Sequence, residues 1–282
     1  MTKRHLSEEL AFTTVRLEGH TERGGAATGT GFLYCVAAGD GLQTVAIITN
    51  KHVLASVDFL EFHVCIADAA GIPIAGRYHT IQVRELLGSV IQHPNPSVDL
   101  CALPCAGIIA LARAKGENVF FRCFDRTHIP SEQEEAEFGA LEPILMIGYP
   151  NGLWDHVNNR PLIRKGVTAT QPSIDLNGKG EFLIDAACFP GSSGSPVMLW
   201  REPGYIDRHG NINMTGIQPK LLGALYAGPI ATVTGEVVHA PSPPAQGQQA
   251  VMGIPMNLGY VVKSRFIIDL EPEIVRVATR TD

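Results

Sequence analysis

No stretch of the 282-residue chain approaches the roughly 18 consecutive apolar residues that a membrane span needs. There is no basic run either. The 22 Lys and Arg are scattered among 28 Asp and Glu, for a net charge of -6, whereas phosphate binding needs clustered cations. Neither nucleic acid nor a membrane is therefore expected as a partner. The N-terminus, MTKRHLSEELAFTTVRLEG, has a basic start with no apolar segment behind it, so it does not read as a secretory signal. Six cysteines (Cys35, Cys65, Cys101, Cys105, Cys123 and Cys188) form no Cys-x-x-Cys pair and no Cys/His zinc spacing. Without an export signal, a chain of this length is expected to keep its thiols reduced and to be cytoplasmic. No metal or organic cofactor is implied.

What the chain does have is many short β-type segments between 29 Gly and 19 Pro. FTTVRLEG (12–19), GFLYCVAA (31–38), TVAIIT (44–49), FLEFHVCI (59–66) and YHTIQVREL (78–86) are β-branched or aromatic runs bounded by turn residues. LEPILMIGYP (141–150), LIRKGVTAT (162–170), EFLIDAACF (181–189), SPVMLW (195–200), KLLGALYAG (220–228) and QAVMGIPM (249–256) follow. Helical signals are sparse. IPSEQEEAEFGA (129–140) puts a Ser before an acidic turn, which predicts a short connector helix, and a second short one is expected from Ile108 to Lys115. Leu258, Val261, Val262, Phe266, Ile267 and Leu270 recur near helical spacing, which predicts a C-terminal helix over 257–275. Residues 200–216 and 229–248, the latter containing APSPPAQG, read as loops. The sum is an all-β chain of two halves joined by a short helix.

The most informative window is DAACFPGSSGSP, Asp185 to Pro196. Its frame, Gly-x-Ser-Gly-x-Pro, lets Gly191 adopt angles that aim its own N–H and that of Ser193 at one point, an oxyanion hole. Gly194 turns the chain back so that Ser193 is presented outwards. Ser192 would lie between the two donors, and Ser195 would start the next strand. An ordinary Gly/Ser/Pro turn reads the same way when taken alone. A serine hydroxyl needs an adjacent base, and His52 follows directly on the apolar run AIITNK. The base in turn needs a carboxylate to fix its tautomer. Asp99 enters the apolar segment LCALP after the Pro-rich turn HPNPSV, where an Asp is costly unless partnered. A surface His and a turn Asp remain alternatives for each residue singly.

At these residues the chain resembles the trypsin/chymotrypsin-like serine peptidases, most closely the bacterial Deg-type branch. TGTGFLY (28–34), ITNKHVL (48–54), VDLCALP (98–104) and DAACFPGSSGSPV (185–197) resemble the family's glycine strand and its histidine, aspartate and serine blocks. IGYPNGL (147–153) resembles a Deg-type strand-turn, and LLGALYAG (221–228) and GIPMN (253–257) resemble later segments. The resemblance implies two six-stranded antiparallel β-barrels with the site in the cleft between them. It divides the chain into a barrel over 1–120 with His52 and Asp99, a helical connector over 121–140, a barrel over 141–256 with Ser193, and a C-terminal helix and tail over 257–282. The implied activity is that of a serine endopeptidase acting through an acyl-enzyme on a protein or peptide substrate. His52, Asp99 and Ser193 would be catalytic, and Gly191 and Ser193 would form the oxyanion hole. Ala187 would lie at the base of the specificity pocket beside Cys188 and Phe189, with Tyr226, Ala227 and Gly228 along the substrate edge. No acidic residue sits at that base, which favours small or medium apolar side chains over Arg and Lys.

The departures are informative too. Ser192 stands where zymogen-activated members carry an Asp, and the chain has no mature-type Ile-Val-Gly-Gly start. Val53 replaces the cysteine found beside the histidine in secreted members, which leads to the expectation of a disulfide-free chain. No appended peptide-binding domain is expected, so regulation would come from loops, assembly or a regulatory protein partner. The alternative is an inactive or partner-activated scaffold of the same fold, although no member of the triad is missing. An α/β-hydrolase would need Ser…Asp…His order and a Gly-x-Ser-x-Gly elbow, and neither occurs.

Overall fold

A computed structural model describes residues 4–21, 24–39, 41–84, 86–215, 218–236 and 249–279. The N-terminal half contains β1 (Thr14–His20), β2 (Ala26–Gly39), β3 (Leu42–Thr49), β4 (Phe59–Ala67), β5 (Pro73–Arg84), β6 (Ile91–Gln92), β7 (Cys101–Pro104) and β8 (Val119–Phe120). These form one eight-stranded sheet in the order β5-β4-β1-β2-β3-β7-β6, with β8 added to β4. The second half contains β9 (Pro143–Gly148), β10 (Leu162–Thr168), β11 (Glu181–Asp185), β12 (Pro196–Leu199), β13 (Tyr205–Ile206), β14 (Ile212–Asn213), β15 (Lys220–Ala227), β16 (Ile230–Glu236), β17 (Gln249–Pro255) and β18 (Leu258–Lys263). Six of them close a barrel, β10-β11-β18-β15-β12-β9, while β13–β14 and β16–β17 are separate hairpins. Among the described residues there are six α-helices: α1 (Leu6–Leu10), α2 (Lys51–Leu54), α3 (Leu86–Ser89), α4 (Ala106–Ala114), α5 (Glu132–Ala136) and α6 (Glu271–Thr279). The all-β class expected from the sequence is met, with a closed six-stranded C-terminal barrel and a C-terminal helix. In the N-terminal half the ladder has eight strands and no pairing of β5 with β6 among the described residues. There Leu86 of α3 and Ile109 and Ala112 of α4 complete the core.

Period-two alternation explains why the strands read as continuous apolar runs. On β9, Ile144 and Met146 point into the barrel interior, whereas Leu145 and Ile147 point out towards the other half. On β3, Val45 and Ile47 face the N-terminal core while Ala46 and Ile48 face the same shared layer. That layer joins Phe32 and Tyr34, Leu145 and Met198, and Ile267, Leu270 and Ile274 of the C-terminal segment. Each fully buried side chain of this size contributes about 1.5–3 kcal/mol, so the shared layer fixes the two halves against each other. The Tyr34 hydroxyl adds a bond to Glu271 Oε1 at 2.7 Å, from β2 to α6.

The predicted helix over 257–275 begins later than expected. Residues Leu258–Lys263 form β18, which pairs with β11 and β15 and closes the barrel. A 3-10 stretch, Ser264–Leu270, and then α6 follow. The spacing of Leu258, Val261 and Val262 fits either period over so short a run, and barrel closure decides it. The connector helix is present as α5, with Ser131 and Glu134 forming a capping box, and the helix from Ile108 is α4. The segments read as loops carry the small hairpin β13–β14 and the strand β16, and APSPPAQG lies outside the described residues.

The expectation of six reduced thiols is corrected. Cys35 and Cys123 form a disulfide, with Cα atoms 5.9 Å apart. The Cys35 amide donates to the Phe124 carbonyl at 2.8 Å, so β2 and the connector run side by side and bring the two thiols within bridging range. A pair 88 residues apart leaves no spacing signal. The argument for a cytoplasmic location drawn from reduced thiols falls with it. Cys65, Cys101, Cys105 and Cys188 are free and buried. No helix among the described residues is long and apolar enough to cross a membrane.

Candidate active site

β3 ends in the buried residues Thr49 and Asn50, and α2 then makes a single turn. Val53 and Leu54 anchor that turn in the core, which leaves the His52 ring about half exposed. Asp99 sits on the extended segment leading into β7 and holds His52 at two points. The His52 backbone N–H donates to Oδ1 at 3.2 Å, and ring Nδ1 lies 2.6 Å from Oδ2. An ionised carboxylate only accepts, so Nδ1 carries the proton and Nε2 is left with its lone pair. Asn50 Nδ2 donates to the Asp99 carbonyl at 2.8 Å and fixes the backbone behind the pair. Burial pushes the Asp99 carboxyl up, but the hydrogen bonds and charge of His52 outweigh it and hold the group below its ordinary value.

Ser193 lies in the connection from β11 to β12. Phe189, Pro190, Gly191 and Ser192 form a turn closed by the Ser192 N–H donating to the Phe189 carbonyl at 3.0 Å. Gly191 has φ +83°, and Pro precedes it, the pattern of a type II turn. The Pro190 carbonyl accepts from the Asn151 N–H at 2.5 Å, so the N–H on the other side of that peptide, Gly191's, points the opposite way. Neither that N–H nor that of Ser193 donates to an acceptor among the described residues. A Cβ on Gly191 would lie 2.6 Å from the Tyr149 carbonyl. Gly194, with φ +85°, packs directly on the Thr30 carbonyl. Of the three competing serines, Ser192 and Ser195 are completely buried, and only Ser193 reaches the surface. Its hydroxyl donates to the Tyr226 carbonyl at a long 3.4 Å rather than to His52.

A cavity of about 310 Å³ adjoins Ser193. Cys188, Phe189, Ala227 and Gly228 wall it, and Ile230 and Pro255 from the base of the β16–β17 hairpin extend it. Burial pushes the Cys188 thiol up to about 11, so it stays protonated and unreactive at neutral pH. Ala187, expected at the pocket base, is elsewhere, whereas Tyr226, expected along the substrate edge, keeps its carbonyl beside Ser193. The Ala187 carbonyl is turned to Arg164 and takes no part in lining this cavity. The Tyr226 side chain faces a neighbouring cavity of about 560 Å³ that also contains Asp99, and its hydroxyl bonds Glu181 at 2.5 Å. A larger cavity of about 610 Å³, walled by Trp200, Arg201 and Tyr205, holds none of these residues. Among the described residues no group of three or more His, Cys, Asp and Glu is arranged to hold a metal.

Sequence reasoning missed two contributors. Thr30 donates from its amide to the Ser193 carbonyl at 2.8 Å and from Oγ1 to the Gly191 carbonyl at 3.0 Å, tying β2 to the serine turn. Arg164 reaches Ala187 and Ser192 from β10. Neither has a sequence signal of its own: Thr30 is one of two threonines on β2, and Arg164 is next to Lys165 on β10. The stretch after IGYP is an ordered hairpin, bridged between Asp155 and Arg160, with Trp154 stacked on His63 at 5.3 Å.

No protein-family model matches the chain, and no curated protein matches it. Among solved structures it is similar to HL collagenase, at 13% identity over 94% of each chain with a TM-score of 0.48. It is similar to GrC at 13% identity over 95% of each chain, with a TM-score of 0.45. It is also similar to a mutant of Tobacco Etch Virus protease, at 11% identity over 100% of this chain and 83% of that one, with a TM-score of 0.44.

Proposed function

We propose that the protein is a serine endopeptidase. The observations that carry the reading are a histidine clasped at two points by a carboxylate and, tied to β2 through Thr30, a part-exposed Ser193 whose own amide and that of Gly191 donate to no acceptor among the described residues. Ser193 Oγ attacks the peptide carbonyl as His52 Nε2 takes its proton, and the oxyanion is received by the N–H groups of Gly191 and Ser193. His52 returns the proton to the leaving amine, and water then hydrolyses the acyl-enzyme by the same path. Asp99 orients the ring and stabilises the imidazolium. The apolar cavity walled by Cys188, Ala227 and Gly228 supports cleavage after apolar side chains. The resemblance to the Deg-type branch rests on the sequence blocks alone, and so does the expectation of a protein or peptide substrate.

The test is hydrolysis of a peptide library by wild type and Ser193→Ala. The expected result is cleavage after apolar residues by wild type only, and equal cleavage by the two proteins contradicts the assignment. The second reading, a partner-activated or scaffold role, is favoured by one observation, the Ser193 hydroxyl turned to Tyr226 rather than His52. Catalytic bonds are often long before substrate binds, so the first reading stands unless wild type proves inert.

A further inference from the structure

Among the described residues, Arg164 is the one charged side chain that bonds the serine loop. Nη1 donates to the Ala187 carbonyl, and Nη2 donates to the Ser192 hydroxyl at 3.1 Å. The two acceptors are five residues apart, so a single planar guanidinium bridges both sides of the loop that turns through Gly191. Ser192 is completely buried and sits between the two unpaired amides.

Keeping this cation there is costly. Arg164 makes no ion pair among the described residues, and its Nε is buried without a partner. Burial lowers its affinity for the proton, and the opposing influence is the Cys188 thiol, itself held protonated. An uncompensated buried charge destabilises a fold, and an apolar side chain of similar length would occupy the same strand position without that cost. Arg164 is also outside the cavity beside Ser193, so it does not meet a substrate side chain there. The rest of the loop is held by neutral groups, Asn151 on Pro190 and Thr30 on Gly191.

We propose that Arg164 is a positioning residue that staples Ala187 to Ser192, holds the Gly191 and Ser193 amides towards the cleft, and adds positive potential beneath the oxyanion site. The catalytic consequence rests on the peptidase reading; the staple itself does not. Arg164→Met and Arg164→Lys test both. By hydrogen exchange, the segment 187–195 is expected to exchange at least tenfold faster in Arg164→Met than in wild type. In the same variant kcat is expected to fall on the order of 100-fold, with KM changed less than about threefold. Affinity for a peptide aldehyde, whose adduct uses the amides, is expected to fall in parallel. Lys can reach one acceptor and should recover part of the loss. Unchanged exchange in Arg164→Met overturns the staple, and a raised KM at constant kcat overturns the positioning role. If wild type neither cleaves peptides nor binds the aldehyde, the peptidase reading fails while the exchange comparison still decides the staple. If Arg164→Met does not fold, Arg164→Lys decides by the same measurements.

Discussion

In the N-terminal half, His52 and Asp99 hold each other through side-chain and backbone bonds, at 2.6 and 3.2 Å, on segments that leave and enter ordinary strands. In the C-terminal barrel, the amides beside Ser193 are aimed by a turn with φ +83° at Gly191, set between the Tyr149 carbonyl and a part-buried arginine. In the proposed mechanism, proton handling depends on a pair of side chains, whereas charge stabilisation depends on a backbone shape that a side chain on Gly191 would destroy. The first arrangement can exchange its carboxylate for an amide and keep its geometry. The second cannot accept even a methyl group without moving.

Substitutions on the two sides of the cleft sharpen that contrast. Ser193→Ala should have the largest effect, a fall in kcat on the order of a million-fold, measured by peptide hydrolysis. Asp99→Asn should cost about 10⁴-fold in kcat while the His52 position in a crystal structure of the variant stays the same, because the wrong tautomer is favoured. Gly191→Ala should cost roughly 10²–10³-fold and, unlike Asp99→Asn, should visibly move the 189–192 turn. If that turn stays put, the contrast between the halves fails. Replacing Cys35 and Cys123 by Ser should leave kcat near wild type and lower stability by about 2–4 kcal/mol, read as a Tm fall of roughly 5–15 °C.

The smallest effect concerns acid. The folded pKa of Asp99 is depressed, so its contribution to stability is complete above the unfolded carboxylate value of about 3.9 and is lost as pH falls through the lower folded value. Wild type and Asp99→Asn should therefore differ in Tm at pH 6 and converge in the acid range. A constant difference between them would remove the clasp as a source of stability.

The three residues proposed as a triad are legible in the sequence because each follows a local rule: a histidine after an apolar strand, an aspartate entering one, and a serine in a Gly-x-Ser-Gly-x-Pro frame. The choice of Ser193 over Ser192 and Ser195 agrees with burial, since the other two have no exposed surface. What escaped was set by long-range contact. Thr30 meets Ser193 and Gly191 across the interface between the halves. Arg164 looked like one charge in an alternating strand, and Cys35 meets Cys123 only because the connector folds along β2. Leu258, Val261 and Val262 have helical spacing, and only pairing with β11 and β15 makes β18 a strand covered on both faces.

The most direct measurement is intact mass after treatment with a fluorophosphonate, for wild type and Ser193→Ala side by side. The expected result is a single adduct on wild type, mapped to Ser193, and none on the variant. An unlabelled wild type, or equal labelling of both proteins, contradicts an activated serine at that position.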